Sequence, residues 1–143
     1  MPADRESRLA SASTSGSGPA AEQDAFTPGA RATFRREPRR IDPRSDRYGH
    51  RLAGPTRETV APFEPRPHGI VPGVAQVPAG RQPIAQMGDG PPTGGHPETA
   101  TVVEAALWRL GQMPIGTRFR FLEVDREGAL TAHDELEARL VLL

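Results

Sequence analysis

The segment of residues 68–104 combines short β-forming runs with a dense cluster of glycine and proline, and it restricts the fold more than any other part of the chain. Two runs, residues 73–77 and 82–87, have the apolar side chains typical of short strands. Residues 88–97 read Gly-Asp-Gly-Pro-Pro-Thr-Gly-Gly-His-Pro, which predicts a loop, and the apolar run 100–103 follows. A strand, a polar loop and another strand is how a rigid sheet positions a ligand-binding loop, so we expect the functional site here.

The composition narrows the class of protein. A chain of 143 residues accommodates one domain with a modest core, and its formal net charge of +0 favours neither nucleic acid nor a membrane surface. All 18 basic residues are Arg and there is no Cys, which excludes a lysine Schiff base, a biotinylated lysine and a thiol nucleophile within this chain. No apolar run has the length of a membrane span and no signal-peptide apolar region is present, so we expect a soluble cytoplasmic protein.

The N-terminal part contains one segment without core-forming residues and one short helix. Residues 1–19 are rich in Ser, Ala and Gly and nearly lack large apolar side chains, so we predict that this segment is disordered. Thr27 and the proline after it are typical of a helix start, and they predict a short helix over residues 28–35.

The C-terminal part carries clearer local signals. We predict a short helix over residues 104–110 and a strand over residues 118–124, in which apolar and polar or charged residues alternate. Asp125 is the predicted N-cap of a last helix that ends near residue 140. Its apolar stripe indicates packing on the sheet or on another protein chain.

Two arginines upstream of the central segment suggest an anion-binding pair. Arg47, Gly49 and Arg51 alternate, and in an extended segment this alternation puts both guanidinium groups on one side. Two arginines on one side can clamp a carboxylate or a phosphate. The alternative is that one or both pair with a nearby acid such as Asp42 or Asp46, and both interpretations stay open.

Two separate motifs resemble one known family. Residues 69–78 read GIVPGVAQVP, and they are followed by QPI, by Asp89, by TGGHP at 93–97 and by ATVV. Upstream, residues 45–55 read SDRYGHRLAGP. This order and spacing resemble the biotin-dependent carboxyltransferase family, also known as allophanate hydrolase subunit 2 or as the C subunit of bacterial 5-oxoprolinase. The resemblance covers about residues 20–143, which correspond to the C-terminal part of a longer carboxyltransferase subunit.

The resemblance implies a mainly β fold with short helices (α+β) that forms part of a cyclophilin-like β-barrel. Half of such a barrel would leave unpaired strand edges, which favour association. It also implies a subunit of an enzyme complex. That complex is either an ATP-dependent 5-oxoprolinase, a hydrolase that opens the lactam 5-oxoproline to glutamate, or a biotin-dependent carboxyltransferase that carboxylates a urea-like amide.

The same resemblance implies partners and cofactors. The partners are proteins like the A and B subunits of 5-oxoprolinase, which would handle ATP, a protein that delivers biotin, and a separately encoded N-terminal half. An alternative function is a non-catalytic regulator that binds a kinase-inhibitor-like protein similar to the B subunit, and another is an inactive remnant. The prolines Pro91 and Pro92, which stand where the family has Gln and Thr, favour the non-catalytic alternative.

The resemblance finally places the site residues. The implied catalytic residues are Asp89, Thr93, Gly94 and Gly95. Asp89 is the candidate general base, and the backbone N–H groups of the other three would bind an oxyanion. On spacing alone, a plain tight turn is the favoured interpretation of the glycine pair. The implied substrate-binding group consists of two arginines, an amide and a ring that would stack on a ligand: Arg47, Arg51, Gln76 and His96. The spacing of the four histidines matches no short metal-ligand motif, so we expect no metal.

Overall fold

The structure is a computed structural model, and it describes residues 7–12, 26–55, 65–79 and 82–142. These residues form nine strands and three helices. In chain order they are β1 (Ser7–Ala12), α1 (Pro28–Arg36), β2 (Arg39–Ile41), β3 (Gly49–Ala53), β4 (His68–Gly69), β5 (Val74–Gln76), β6 (Ile84–Gln86), β7 (Thr93–Gly94), β8 (Glu98–Val102), α2 (Glu104–Gly111), β9 (Arg118–Glu123) and α3 (Arg126–Val141).

Seven of the strands form a closed barrel in the order β1-β8-β5-β6-β3-β2-β9, and β4 pairs with β7 in a separate two-stranded sheet. Neighbouring strands of the barrel are antiparallel except β1 and β9, which are parallel and complete the ring. The prediction of a mainly β fold with short helices is confirmed. The expectation of unpaired strand edges is wrong for β8 and β9, because β1 pairs with both.

The closing strand β1 lies within residues 1–19, and for Ser7–Ala12 the prediction of disorder is wrong. Backbone pairing holds the strand, since Leu9 lies opposite Phe121 of β9 and Ala12 lies opposite Thr101 of β8. A segment between two strand edges gains hydrogen bonds on both sides, so it can be ordered without large apolar side chains. Residues 1–6 and 13–19 lie outside the described residues.

Alternation along β9 builds the core as predicted. Phe119 and Phe121 are buried, and their rings meet edge to face at 5.2 Å. Phe121 also stacks on Phe34 of α1 at 4.7 Å between ring centroids. Helix α1 begins as predicted, with Thr27 Oγ1 accepting the Ala30 N–H at 3.1 Å. The aromatic side chains of β9 thereby fasten the first helix to the barrel.

Helices α2 and α3 also lie where predicted, but α3 packs less than expected. Asp125 Oδ1 caps α3 by accepting the Gly128 N–H at 2.8 Å. No residue of α3 is buried, and Leu130 and Leu140 are 52% and 54% exposed. Of the two predicted alternatives for the apolar stripe, packing on the barrel holds only in part, through the half-buried Ala129, and packing on another protein chain stays a prediction. Among the described helices, none has the length and apolar character needed to cross a bilayer.

A charged side chain lies inside the protein beside β2. Arg39 is 1% exposed, and its Nη1 donates to the Pro55 carbonyl at 2.6 Å and to Gln82 Oε1 at 3.3 Å. Its guanidinium lies over the Phe34 ring, 5.2 Å from the centroid. Burial lowers the pKa of Arg39 to about 10. The arginine links β2 to the residues that follow β3 and to those that precede β6.

Two turns of the same type lead into β5 and β9. Residues 71–74 and 114–117 are each closed by a hydrogen bond from the fourth N–H to the first carbonyl, 3.2 and 3.1 Å long. The third residue of each turn is a glycine at positive φ, Gly73 at +94° and Gly116 at +86°. Such a φ at the third position is characteristic of a type II turn and favours glycine. Gly73 leads directly into β5, which carries part of the site.

Candidate functional site

A cavity of about 600 Å³ opens beside β3, β5 and β6. Its lining draws on these three strands and on the loop before β8, and it includes Gly49, Arg51, Gln76, Ile84, Gln86 and His96. Three of these residues, Arg51, Gln76 and His96, belong to the predicted substrate-binding group. A concave site with a few convergent polar groups is the usual form of a small-molecule site.

Strand β3 places Arg51 at the cavity, whereas Arg47 precedes this strand and is not among the cavity-lining residues. Asp46 Oδ1 accepts the N–H groups of Tyr48 and Gly49 at 2.9 and 3.2 Å, which folds the chain before β3 into a turn. The structure therefore does not bring the two arginines together at the cavity, and the role of Arg47 in substrate binding stays a prediction. Within the described residues, the Arg51 guanidinium has no hydrogen-bond or ion-pair partner. It is available to an anionic ligand.

Arg47 pairs instead with Asp89 on the surface. The distance from Arg47 Nε to Asp89 Oδ2 is 3.2 Å, and the two side chains are 74% and 60% exposed. The alternative interpretation, an arginine paired with an acid, therefore holds for Arg47, although the acid is neither Asp42 nor Asp46. Asp89 is not among the cavity-lining residues. Its role as a catalytic acid or base stays a prediction.

The side chain of Gln76 occupies the space next to Gly94. Gln76 Nε2 is buried and has no hydrogen-bond partner within the described residues. A Cβ on Gly94 would overlap this nitrogen and lie 2.9 Å from Gln76 Oε1. A Cβ on the next residue, Gly95, would meet nothing closer than the Pro65 carbonyl oxygen at 3.8 Å. The missing Cβ of Gly94 therefore leaves space for the Gln76 side chain, whereas a Cβ on Gly95 would displace no atom.

The backbone of β7 does not form the predicted nest. No glycine between residues 88 and 95, all of them described, has a positive φ. The Ile70 N–H donates to the Pro92 carbonyl at 2.9 Å, and Gly94 lies two residues further along, opposite His68. Because antiparallel pairs alternate between hydrogen-bonded and non-hydrogen-bonded, the His68–Gly94 pair is a hydrogen-bonded one. The central N–H of the expected nest is therefore directed at His68, and only its outer members, at Thr93 and Gly95, lie outside this pair.

A histidine–glutamate pair next to β7 was missed by the sequence analysis. His68 Nε2 lies 2.7 Å from Glu98 Oε1, and His68 Nδ1 lies 2.9 Å from the Arg66 carbonyl oxygen. Both ring nitrogens face oxygen acceptors, so the imidazolium form, which donates from both, fits this geometry. Glu98 also lies opposite Gln76 in the pairing of β5 with β8. No local signal could have found this pair, because 30 residues separate its members.

Two further residues of the lining, Asp46 and Gln86, were not predicted as site residues. Asp46 is the one acid among the described lining residues, and it belongs to the motif at 45–55 that carried the family resemblance. Gln86 is buried at the end of β6. The sequence signal for Gln86 was its position two residues after Ile84, which puts both residues on the same face of β6. In the part of the chain that the structure describes, no three His, Asp or Glu side chains are arranged to hold a metal ion.

His50 lies beside the cavity residues on β3 but does not line the cavity. Its Nδ1 is buried and unpartnered within the described residues. Burial lowers the pKa of His50, and the charge of Asp46 opposes this effect only in part. A neutral imidazole at neutral pH follows from this direction, so Arg51 is the cation that β3 presents to the cavity.

Comparison with known proteins assigns the chain to a family. The family described as "Carboxyltransferase domain, subdomain A and B" matches residues 2–123, and the chain belongs to this family. The resemblance inferred from the two motifs is confirmed. The match begins within the segment 1–19 and ends before α3.

Particular relatives are the C subunits of 5-oxoprolinase. The chain is 36% identical over 117 residues to the 5-oxoprolinase C subunit of Escherichia coli (strain K12), and 36% identical over 111 residues to the protein of the same name from Haemophilus influenzae. These alignments cover 82% and 78% of this chain, but 38% and 36% of the relatives. The chain thus spans well under half the length of these relatives. A "Putative urea carboxylase" of Emericella nidulans is 36% identical over 58 residues, which are 41% of this chain and 5% of that protein.

Solved structures share the fold. The crystal structure of the K. lactis urea amidolyase superposes with a TM-score of 0.82 over 93% of this chain and 8% of that chain. At 22% sequence identity this likeness shows the fold alone. The crystal structure of TTHA0988 superposes with a TM-score of 0.62 at 30% identity, over 85% of this chain and 22% of that chain.

Proposed function

We propose that this chain supplies the substrate-binding part of a 5-oxoprolinase-type or carboxyltransferase-type site and works as one subunit of an enzyme complex. The observation that carries the proposal is the convergence of Arg51, Gln76 and His96 on one cavity. The relatives named as C subunits of 5-oxoprolinase support a lactam that carries a carboxylate as the first candidate substrate.

The cavity residues match the groups of 5-oxoproline. This molecule carries a carboxylate and a lactam carbonyl, and the Arg51 guanidinium is the cation that, within the described residues, has no partner and can take the carboxylate. The Gln76 carboxamide, which also lines the cavity, is the corresponding hydrogen-bonding group for the lactam amide. His96 is exposed on the loop before β8, where its ring can cover a bound ligand. Lactam opening and carboxyl transfer both build negative charge on oxygen, which such donors stabilise.

Cofactors enter this proposal through partner chains. ATP would be handled by proteins like the A and B subunits of 5-oxoprolinase, since this chain has no phosphate-binding glycine motif followed by lysine. When carboxybiotin is delivered by a partner, it supplies the carboxyl group for transfer. The residue of this chain that fits its carboxylate is Arg51, because its guanidinium lines the cavity and has no partner within the described residues. A separately encoded N-terminal half remains a further predicted partner.

The first test is reconstitution. The full chain is co-expressed with the A and B subunits of 5-oxoprolinase, and ATP-dependent formation of glutamate from 5-oxoproline is measured. Activity above that of the A and B subunits alone supports the proposal. A purified three-component complex without this activity, and without ATP-dependent carboxylation of urea, would refute the enzymatic role.

A second test probes the cavity itself. Binding of 5-oxoproline is compared with binding of 2-pyrrolidinone, which lacks the carboxylate, and of proline, which lacks the lactam carbonyl. Arg51→Met is expected to weaken 5-oxoproline about tenfold or more and to leave 2-pyrrolidinone unchanged, since a charge-assisted hydrogen bond contributes about 1.5–3 kcal/mol. Arg47→Met is the matched control, because that arginine lies outside the cavity. Equal losses in the two variants would contradict the assignment of the carboxylate to Arg51.

A second candidate function is a non-catalytic protein that binds and regulates a partner similar to the B subunit of 5-oxoprolinase. Two observations favour it: Pro91 and Pro92 have no side-chain donors, and Asp89 pairs with Arg47 outside the cavity. Under this function the co-expressed complex forms and changes the properties of the partner, but the Arg51→Met variant behaves as the wild type does. The same reconstitution therefore separates the two functions.

A further inference from the structure

We infer that Gln86 is a specificity-determining residue of the cavity, and that its carboxamide donates a hydrogen bond to the carbonyl oxygen of the bound lactam. This inference rests on the proposed function for the identity of the ligand. It supplies a donor that Gln76 does not, because Gln76 Nε2 is enclosed and lies against Gly94. Gln76 can therefore serve the lactam only through its oxygen, as the acceptor for the N–H.

The first step is the state of the Gln86 side chain. Gln86 is 7% exposed and lines the cavity. Within the described residues, the oxygen and the nitrogen of its carboxamide make no hydrogen bond, and neither atom is fully enclosed. Because both ends of the amide are free, the group can turn to present an N–H donor to a ligand. A polar group with so little access to water gains from a ligand that pairs with it.

The second step is the position of Gln86 relative to Arg51. In the pairing of β3 with β6, Gly49 lies opposite Gln86 and Arg51 lies opposite Ile84, and all four residues line the cavity. Alternate residues of paired strands share one face, and diagonal neighbours on that face are roughly 7–8 Å apart. Arg51 and Gln86 are such diagonal neighbours. One ligand can therefore place its carboxylate at Arg51 and its ring carbonyl at Gln86.

The third step is that Gln86 is held in place without a ligand. A Cβ on Gly90 would lie 2.7 Å from Gln86 Cγ and 3.0 Å from Gln86 Cδ, so the stem of Gln86 lies against the turn after β6. This turn is closed by the Gly90 N–H, which donates to the Met87 carbonyl at 3.0 Å. The Gln86 carbonyl itself accepts the Gly73 N–H at 2.8 Å. A side chain confined in this way loses little rotamer freedom when it binds.

The test compares two ligands by isothermal titration calorimetry with the full chain. Cyclopentanecarboxylate keeps the ring and the carboxylate of 5-oxoproline but lacks the amide. Gln86→Met is expected to raise the Kd for 5-oxoproline about tenfold, as for the loss of one hydrogen bond, and to leave the Kd for cyclopentanecarboxylate unchanged. Gln112→Met is the matched control and should change neither Kd, because Gln112 is exposed at the end of α2 and does not line the cavity.

A measurement on the wild type decides the inference even if Gln86→Met does not fold. In the chain labelled with nitrogen-15, the side-chain NH₂ signals of Gln86 are assigned through bonds. They should shift on addition of 5-oxoproline or of 2-pyrrolidinone, which keeps the lactam but lacks the carboxylate. Cyclopentanecarboxylate should shift them much less. Signals that respond equally to 5-oxoproline and to cyclopentanecarboxylate overturn the inference.

The outcomes separate this inference from the proposed function. A wild-type chain that binds 5-oxoproline, together with an unchanged Kd in Gln86→Met, overturns the role of Gln86 while the proposed function stands. An equal rise in Kd for both ligands also overturns that role. A wild-type chain that does not bind 5-oxoproline refutes the proposed function. In that case, Gln86 signals that shift with 2-pyrrolidinone still support the role of Gln86 toward a lactam, and signals that do not shift overturn it.

Discussion

The two type II turns allow the steric and conformational roles of glycine to be measured separately. Gly73 and Gly116 occupy the same position of the same turn type, with φ of +94° and +86°. A Cβ on Gly116 would have no atom within 4 Å, whereas a Cβ on Gly73 would lie 2.6 Å from Leu107 Cδ2 and 3.1 Å from the Val102 carbonyl oxygen. Alanine at either position costs the strain of a positive φ, but only at Gly73 does it also meet packed atoms.

The expected magnitudes follow from these contacts. A non-glycine residue in the left-handed region costs about 1–2 kcal/mol, which is the whole expected effect of Gly116→Ala. Overpacking a core site costs about 1–3 kcal/mol more, so Gly73→Ala should lose about 2–5 kcal/mol of unfolding free energy. For a domain of this length, 1 kcal/mol corresponds to roughly 3–5 °C, so the Tm of Gly73→Ala should lie roughly 3–15 °C below that of Gly116→Ala.

Urea denaturation and thermal unfolding of both variants measure this difference. A third variant makes the cause specific: Leu107→Ala removes the nearest atom, so the double variant with Gly73→Ala should be less destabilised than the sum of the two single changes by about 1 kcal/mol. Equal losses for Gly73→Ala and Gly116→Ala would refute the steric argument. Additive losses in the double variant would show that Leu107 is not the atom that matters.

Three further predictions concern the core, the loop and the surface. Phe119→Ala should lower the free energy of unfolding, measured by urea denaturation, by about 3–5 kcal/mol, because its ring is fully buried. Leu122→Ala on the same strand should cost well under half of that, because Leu122 is 47% exposed. Similar costs for the two variants would contradict the alternation of β9. Asp89→Ala should leave the Kd for 5-oxoproline within about twofold, since its carboxylate lies outside the cavity, and a loss of binding would place Asp89 in the site. Hydrogen bonds from Arg44 lower the pKa of Asp42 from 3.8 to about 2, so the stabilisation from this carboxylate is fully present above about pH 3.8 and is lost as the pH falls from there through about 2. A carbon-13 titration should show this midpoint and its return toward 3.8 in Arg44→Met, and a wild-type midpoint already near 3.8 would contradict the ion pair.

Features set by neighbouring residues were predictable from the sequence. The alternation of β9 and the caps at Thr27 and Asp125 depend on contacts within a few positions, and the structure reproduces them. The cavity beside β5 and β6 lies where the sequence predicted a site, because a strand pattern and a glycine-rich loop occur together there. The resemblance to a family then supplied Arg51, Gln76 and His96 as candidate site residues, and all three line this cavity.

Features that depend on distant partners were not predictable. The sequence of β1 has few local strand signals. The strand forms because it pairs with β8 and β9, which lie far along the chain. The pair of Arg47 with Asp89 joins two residues far apart in the chain, which alternation along one strand cannot reveal. The pair of His68 with Glu98 needs β4 and β8 to be brought together first.

The parallel pairing of β1 with β9 has a consequence for synthesis of the protein on the ribosome. The first strand of the barrel to be made lies between β8 and β9, the last two to be made. Ribosomes add about 5–20 residues per second, so the roughly 100 residues between these strands take roughly 5–20 s to appear. During that time β1 has neither neighbour. The barrel can therefore close only after β9 has been synthesised, and a pause in translation before β9 prolongs the interval in which an open sheet is exposed to other chains.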